Sequence, residues 1–419
     1  MSLPYLVFSD SKGKIFEHPG LRMSAQDLDG IHLPRMQELI PAPSGTTYFY
    51  LPHRHPVGFN PSTGEYEVIR EFKGREVFAV SAFPPPAYLR LYYPAFEMGN
   101  FTVLPLWAYT ATGFYSGRFY ICATRVDRRL RQSPPFYDNQ LIQEKIKSLV
   151  FRFPSNRLYK HLANCALNYN CLAAKNLFLN RWEAPLPTSR FCNAACIGCL
   201  SLQNEGCTAS HQRISFRPSV DEVSEIMIKH LREAKEAIVS FGQGCEGEPL
   251  LETNLISQSV RNARAVTLRG TINMNTNASI PENVKELCKA GIDSFRVSLN
   301  SPRRYFYKKY FRPRGYNLRD VIKSIRIAKR LKKFVSVNLF IFPGFSDEPE
   351  EIKSLFKLME DVKIDMLQLR NLNIDPYFFA EKFSGKKNKA IGLLNFIREL
   401  REKYPDIKLG YFNLPKENF

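Results

Sequence analysis

Hydrophobic and polar positions change rhythm near residue 145. Before it, short runs rich in aromatic and β-branched residues alternate with Pro, Gly and Ser turns: Tyr48 to Leu51, Tyr66 to Glu71, Val77 to Phe83, Tyr88 to Tyr93, Val103 to Thr110 and Arg118 to Val126. Runs of this kind predict strands, so residues 1–145 read as a β-rich domain. Pro84-Pro85-Pro86 and Pro134-Pro135 fix φ and remove donors, which marks extended links. Residues 146–184 read as a helical connector, with helix expected from about Asn139 to Asn180. From Pro185 onward a strand and then a helix recur about six times, the pattern of parallel βα units.

Local signals sharpen that repeat. Ser219 and Glu222 form a capping box for a helix whose Val223, Ile226, His230 and Leu231 share a face. One strand precedes residue 192, and Ala237 to Phe241, Thr271 to Asn275, Ser294 to Leu299, Phe334 to Ile341 and Ile364 to Arg370 supply five more. Ser279 and Glu282 are placed to cap the helix that Gly291 ends. The fold class is therefore α/β: residues 185–419 predict a partial (β/α)6 TIM-like barrel with a C-terminal extension, preceded by the β-rich N-terminal domain. Chemistry belongs at the C-terminal ends of the barrel strands.

A length of 419 residues allows two or three separately cored domains. Nine unevenly spaced cysteines do not resemble a secreted disulfide framework, and no basic-then-apolar segment opens the chain, so a reducing cytoplasm is the expected home. No apolar run reaches the roughly 20 residues of a membrane helix. The net charge of +19 is local: between Arg303 and Lys333 thirteen Lys or Arg accompany one acid, Asp320. Tyr305, Phe306, Tyr307, Tyr310, Phe311 and Tyr316 are interleaved with them. Cations among aromatics neutralise phosphates and stack bases, which points to RNA, with Arg125, Arg128, Arg129 and Arg131 as further contacts. The stretch fits a solvated helix face equally well, with Ile322, Ile325, Ala328 and Leu331 inward and Lys323, Arg326, Lys329, Arg330 and Lys333 outward.

Cys192, Cys196 and Cys199 stand at C-x3-C-x2-C spacing. A cubic [4Fe–4S] cluster has four irons, so three thiolates leave one iron for a ligand that is not protein. Here the chain resembles the radical S-adenosylmethionine (radical SAM) superfamily, over about residues 185–410 and with no subgroup assigned. The resemblance implies that Cys192, Cys196 and Cys199 hold a [4Fe–4S] cluster whose open iron chelates S-adenosyl-L-methionine. It implies reductive cleavage to a 5′-deoxyadenosyl radical, hydrogen abstraction from a substrate, and an electron donor such as flavodoxin or ferredoxin.

Gly247-Glu248-Pro249 matches the last three positions of the family's Gly-Gly-Glu-Pro segment, which binds the methionine amino group, with Glu246 in place of the first glycine. Asn275 and Asn277 end strand three, where the family places polar cofactor contacts; Ser298 and Asn300 end strand four at a position that contacts ribose or carboxylate. Asn338 lies on strand five, and Arg370 on strand six suits a carboxylate or phosphate, or a structural salt bridge. Where the family has an aromatic residue before the last cysteine this chain has Gly198, so adenine contacts are expected from Ile197 or a strand-six residue.

Other readings stay open. The triad also fits three of four zinc ligands, with Cys207 or His211 as the fourth. Cys165, Cys171, Cys207 and Cys245 fit a second iron–sulfur cluster or buried free thiols, and Cys122 and Cys288 read as core. No residue is singled out as acid or base, and only Tyr377 and Cys245 come forward as radical relays. Substrates in view are RNA, a polypeptide added as an edge strand to the β-rich domain, and a phosphate- or carboxylate-bearing small molecule. The alternative of another class is a non-catalytic zinc or iron–sulfur RNA-binding protein.

Overall fold

In the computed structural model, which describes residues 3–100, 102–203, 206, 208–383, 385 and 388–419, the turn-rich N-terminal region pairs into an antiparallel sheet of eleven strands. Strands at Thr47–Tyr50, Phe78–Phe83 and Arg118–Arg125 lie close to their expected bounds. Val103 to Thr110 is a correction: the strand there is Thr110–Tyr115, and the preceding run is tied to the barrel instead, with the Leu104 N–H donating to Asp375 Oδ2 at 2.9 Å. Ile15–Met23 and Arg54–Asn60 also enter the sheet, although Pro19 and Pro56 interrupt their alternation.

Helices α1 (Asn139–Arg152), α2 (Arg157–Leu167) and α3 (Leu172–Phe178) form the connector. A seven-stranded sheet follows, built from β1 (Arg181–Pro185), β2 (Lys235–Phe241), β3 (Thr271–Thr276), β4 (Ser294–Leu299), β5 (Phe334–Ile341), β6 (Met366–Asn371) and β7 (Lys408–Gly410). Every neighbouring pair is parallel and spatial order equals chain order, with β1 and β7 at the open edges. A parallel sheet must be covered on both faces, and all six residues of β3 are buried accordingly. The covering helices are α4 (Val220–Glu233), α5 (Thr253–Val266), α6 (Pro281–Ala290), α7 (Arg304–Phe311), α8 (Leu318–Arg330), α9 (Pro349–Val362), α10 (Pro376–Lys382) and α11 (Leu393–Lys403). The partial barrel is thus present, with a three-residue seventh strand too short to read from pattern.

The Ser219 box forms: its Oγ accepts from Glu222 N at 3.1 Å while Glu222 Oε2 accepts from Ser219 N at 2.8 Å. Arg157 at the head of α2 also bonds Glu222 at 2.7 Å, and this guanidinium holds the carboxyl down near 2. Gly291 ends α6 in the left-handed region as expected. Ser279 does not cap that helix; Pro281 starts it, and Ser279 Oγ accepts from Asn193 Nδ2 at 2.8 Å. Among the described residues no helix is long and apolar enough to cross a membrane.

The N-terminal sheet sits on the loop after β6. Arg54 and Asp375 meet at 2.7 Å with both side chains 0% exposed, and Arg54 Nη2 also donates to Thr102 O at 2.6 Å. Arg90 donates to Leu372 O at 3.1 Å, and the Asn371 side chain exchanges hydrogen bonds with the backbone of Arg90 and Tyr88 at 2.8 and 2.9 Å. Removing one partner of a buried ion pair strands the other charge. Asp375→Ala should therefore lower unfolding free energy by about 3–5 kcal/mol in urea titration, whereas Arg70→Ala in the exposed pair with Glu97 should change it by under about 0.5 kcal/mol.

His230, in the last turn of α4, is buried, with its Nε2 against Trp182 O at 2.7 Å, and burial pushes its pKa down to about 4. A histidine kept neutral in the fold contributes stability that is present above about 6.5 and lost as pH falls towards 4, because the unfolded chain takes up the proton first. Stability measured between pH 7 and 4 should fall by about 3 kcal/mol less in His230→Gln than in the parent, with the slope difference near 1.4 kcal/mol per pH unit at most.

Candidate active site

The segment between β1 and α4 that carries Cys192, Cys196 and Cys199 takes its shape from its neighbours. The buried Glu246 carboxylate accepts from Thr188 N at 2.7 Å and Ser189 N at 2.9 Å, and from Gly242 N on its other oxygen. Gly247 N donates to Ser189 O at 2.7 Å, and Glu248 N to Phe191 O at 2.8 Å. A Cβ on Gly247 would lie 1.9 Å from Phe191 O, so only glycine allows this approach. From the other side, Ala195 N and Ile197 N donate to Phe311 O and Tyr310 O at 2.9 and 3.1 Å, the last carbonyls of α7.

So held, the three thiols line one cavity of about 310 Å³ at the C-terminal ends of the barrel strands. Cys192 and Cys196 are pushed up by burial, Cys192 to about 11; the charges of Glu248 and Cys199 add to this at Cys192, and those of Cys192 and Cys199 at Cys196. Arg213 Nη2 stands 3.6 Å from Cys199 Sγ. Gly247, Glu248, Pro249, Asn275, Asn277, Ser298, Asn338 and Arg370 line the same space. Asn300 does not; its amide donates to Phe306 O at 3.2 Å. Glu248 reaches the lining, yet its carboxylate is committed to Thr276 Oγ1, Asn277 N and Leu250 N at 2.5, 2.8 and 3.1 Å. Burial pushes both Glu246 and Glu248 up to about 7 against these donors.

Residues missed from sequence complete the wall. A Cβ on Gly198 would sit 2.7 Å from Tyr310 Oη and 3.3 Å from Leu372 Cδ1, so α7 and the end of β6 fill the room that the missing side chain leaves. Ile197 is core and does not line the cavity. Arg296 projects inward from β4; burial draws its pKa down to about 10, and the neighbouring Arg370 guanidinium adds to this. Its signal was the alternation of Ser294, Arg296 and Ser298 with Phe295, Val297 and Leu299. Arg370 stacks on Tyr411 at 3.7 Å and donates to Tyr411 O at 2.9 Å. Among the described residues neither arginine forms a salt bridge.

Among the described residues, four buried cavity atoms have no hydrogen-bond partner: Arg296 Nε, Asn275 Nδ2, Asn338 Oδ1 and Asn373 Oδ1. Buried polar groups without partners call for a ligand, and these offer both donors and acceptors. Three clustered thiols beside them fit an iron–sulfur cluster, and the polar wall fits a charged zwitterionic cofactor.

Several expected residues lie elsewhere. Phe306, Tyr307, Tyr310, Phe311 and Tyr316 are buried, leaving only Tyr305, 64% exposed, to stack on a base. In α8 the buried stripe is Leu318, Val321, Ile325 and Ala328, while Ile322 is half-buried and Leu331 exposed. Its charged face points outward beside α6 and α9, away from the cavity. Arg131 is buried against Asn413 O at 2.9 Å, whereas Arg125, Arg128 and Arg129 share a separate cleft of about 940 Å³ with Arg398 and Arg401. Tyr377, Cys245 and His211 do not line the thiol cavity, and Cys207 lies outside the described residues. Cys122 and Cys288 are buried as expected.

Residues 186–356 match the family model described as Radical SAM superfamily. The chain carries a radical SAM domain. It is 30% identical over 160 residues to GTP 3′,8-cyclase of Lactiplantibacillus plantarum, which covers 38% of this chain and 45% of the cyclase. It is 24% identical over 220 residues to an uncharacterized protein of Methanocaldococcus jannaschii, covering 49% of this chain and 72% of that protein. The chain thus spans under half the length of the cyclase it resembles. Among solved structures, Streptococcus suis SuiB bound to precursor peptide SuiA has 17% identity and a TM-score of 0.37, over 60% of this chain and 50% of SuiB. The radical SAM superfamily uses S-adenosylmethionine and a [4Fe–4S] cluster, and its enzymes need a reductant.

If the radical SAM loop is shaped by the Gly247 contact, Gly247→Ala should displace it, destabilising the chain by about 1–3 kcal/mol and lowering iron retained after anaerobic reconstitution. Gly20→Ala, with nothing within 4 Å of the added Cβ, is the control and should leave both unchanged.

Proposed function

We propose that this protein is a radical SAM enzyme that reductively cleaves S-adenosylmethionine and removes a hydrogen atom from an anionic substrate. The observation that carries this reading is the meeting, in one cavity, of three free thiols with the unpartnered polar atoms of Arg296, Asn275, Asn338 and Asn373. Cys192, Cys196 and Cys199 would hold the cluster, and the strand-end amides with the Gly247 to Pro249 backbone would hold the cofactor. When bound, the pair supplies a 5′-deoxyadenosyl radical on one-electron reduction, with a flavodoxin- or ferredoxin-type donor as the external reductant.

The chain's own part is to bind, orient and exclude water. Arg296 and Arg370 offer guanidinium groups that form no salt bridge among the described residues, which suits a carboxylate or phosphate. Residues 1–145 act as a cover for the mouth through Arg90 and the Asn371 contacts, residues 146–184 brace the second barrel loop, and residues 185–419 carry the chemistry. The similarity to a GTP 3′,8-cyclase supports a phosphate-bearing substrate. A second reading, modification of RNA, draws on the separate cleft of Arg125, Arg128, Arg129, Arg398 and Arg401.

Anaerobically purified protein should be brown, show a reduced EPR-active centre with dithionite, and release 5′-deoxyadenosine; Cys196→Ala should abolish all three. Arg296→Gln should keep the colour and weaken S-adenosylmethionine or substrate binding by about 10–100-fold, the value of a charge-assisted hydrogen bond in a buried site. A colourless parent protein whose three cysteines hold zinc would end the enzymatic reading.

A further inference from the structure

A second group of metal-ligating side chains lies behind the thiol cavity, on the far side of the loop after β2. His161 and Cys165 are four residues apart on α2 and therefore share a face, and Cys245 approaches them from that loop. One ligand atom from each lies within 4.8 Å of the other two, and His161 Nε2 is 3.6 Å from Cys165 Sγ. A tetrahedral ion with metal–sulfur bonds of about 2.3 Å and metal–nitrogen bonds of about 2.0–2.1 Å holds S and N about 3.6 Å apart. The pair already stands at that separation.

This gathering argues for a single ion over the second iron–sulfur cluster expected from cysteine count. A cube takes one thiolate per iron corner and spreads them around its outside, whereas one ion draws its ligand atoms to a point. The composition differs as well, because a histidine stands where a fourth cysteine was sought. Cys171 donates its backbone N–H to Cys165 O at 3.0 Å, but its thiol is outside the gathered group. Ile214 N donates to Cys245 O at 2.8 Å, which keeps the segment that follows His211 against the Cys245 loop, but the His211 ring, like the Cys171 thiol, is outside the gathered three.

We propose that His161, Cys165 and Cys245 bind one divalent transition-metal ion, zinc by ligand type. Thiolate with imidazole is a set that zinc accepts. Both cysteines would bind as thiolates and His161 as the neutral imidazole, so metal affinity depends on pH. The ion fastens α2 to the loop that also carries Glu246, Gly247 and Glu248, and so braces the cysteine loop from behind.

The decisive material is the full chain with Cys192→Ala, Cys196→Ala and Cys199→Ala combined, since metal retained there reports the second site alone. Titrated with Co2+, it should bind one ion per chain with the visible bands of tetrahedral cobalt and a thiolate charge-transfer band, and excess Zn2+ should erase both. Adding Cys245→Ser should weaken cobalt binding about 100-fold or more, as loss of a ligand exceeds the 10–100-fold typical of an outer-shell partner. Should the triple variant not fold, elemental analysis of the parent protein gives the same answer: one zinc per chain beside the iron, lost in Cys245→Ser. Absence of cobalt binding and of zinc, or binding indifferent to Cys245→Ser, overturns the proposal; iron with sulfide in the triple variant overturns it in favour of a cluster. Zinc held by the first three cysteines would instead vanish in the triple variant, so failure of the radical reading is distinguishable from failure of this one.

Discussion

The rest of the site depends on one close approach, the backbone of Gly247 against the carbonyl of Phe191. Around residues 190–199 the chain has no helix or strand, so its peptide groups must find partners on neighbouring elements. They find them on the loop after β2 and at the end of α7, where helix carbonyls have no partner within the helix. Three thiols are thereby fixed without any disulfide. Glu246 explains why a carboxylate can replace a small residue here: it turns back and ties Thr188 and Ser189 to Gly242, clamping the ends of β1 and β2 together.

The N-terminal sheet docks by a different rule. Two guanidinium groups, Arg54 and Arg90, are wholly buried at its junction with the barrel. Arg54 has a carboxylate partner in Asp375, while Arg90 has carbonyls and the Phe342 ring, 5.2 Å away, and burial draws its pKa down to about 10. Buried charges gain little net energy from such pairs, but a shift in docking would leave a cation without partners. The junction is therefore selective for one placement. That placement sets Asn371 and Leu372, which line the thiol cavity, directly beneath Tyr88 and Arg90.

Much of the barrel was legible because parallel strands buried on both faces read as apolar runs and their helices carry caps, as Ser219 and Gly291 show. The cysteine triad and the Gly247 segment were legible because metal and backbone constraints act over short spans. What failed was long-range. Nothing near Asn300 tells that Phe306 takes its amide, and nothing near Ser279 tells that Asn193 takes its hydroxyl. The aromatic residues of the basic stretch were misplaced for the same reason: α7 turns Phe306, Tyr307, Tyr310 and Phe311 inward to pack on Phe340, Phe345 and each other. His161 sits 84 positions before Cys245, so only the fold brings them together.

Positive charge serves two separate purposes in this chain. The lysines and arginines of α8 are solvated, partly paired as Lys329 is with Asp365 at 2.6 Å, and screened beyond about 8 Å at physiological salt. A field of this kind raises encounter with any polyanion without distinguishing one from another. Arg296 and Arg370 stand in a walled cavity, where the effective dielectric is lower and, after burial, the Arg370 charge adds to the cost of holding Arg296 charged. Neither guanidinium has a salt bridge among the described residues, and for Arg296 the nearby Glu183 carboxylate only partly offsets the repulsion from Arg370. The charge that the cavity presents is therefore set by these two groups and the carboxylates around them, not by the net charge of +19.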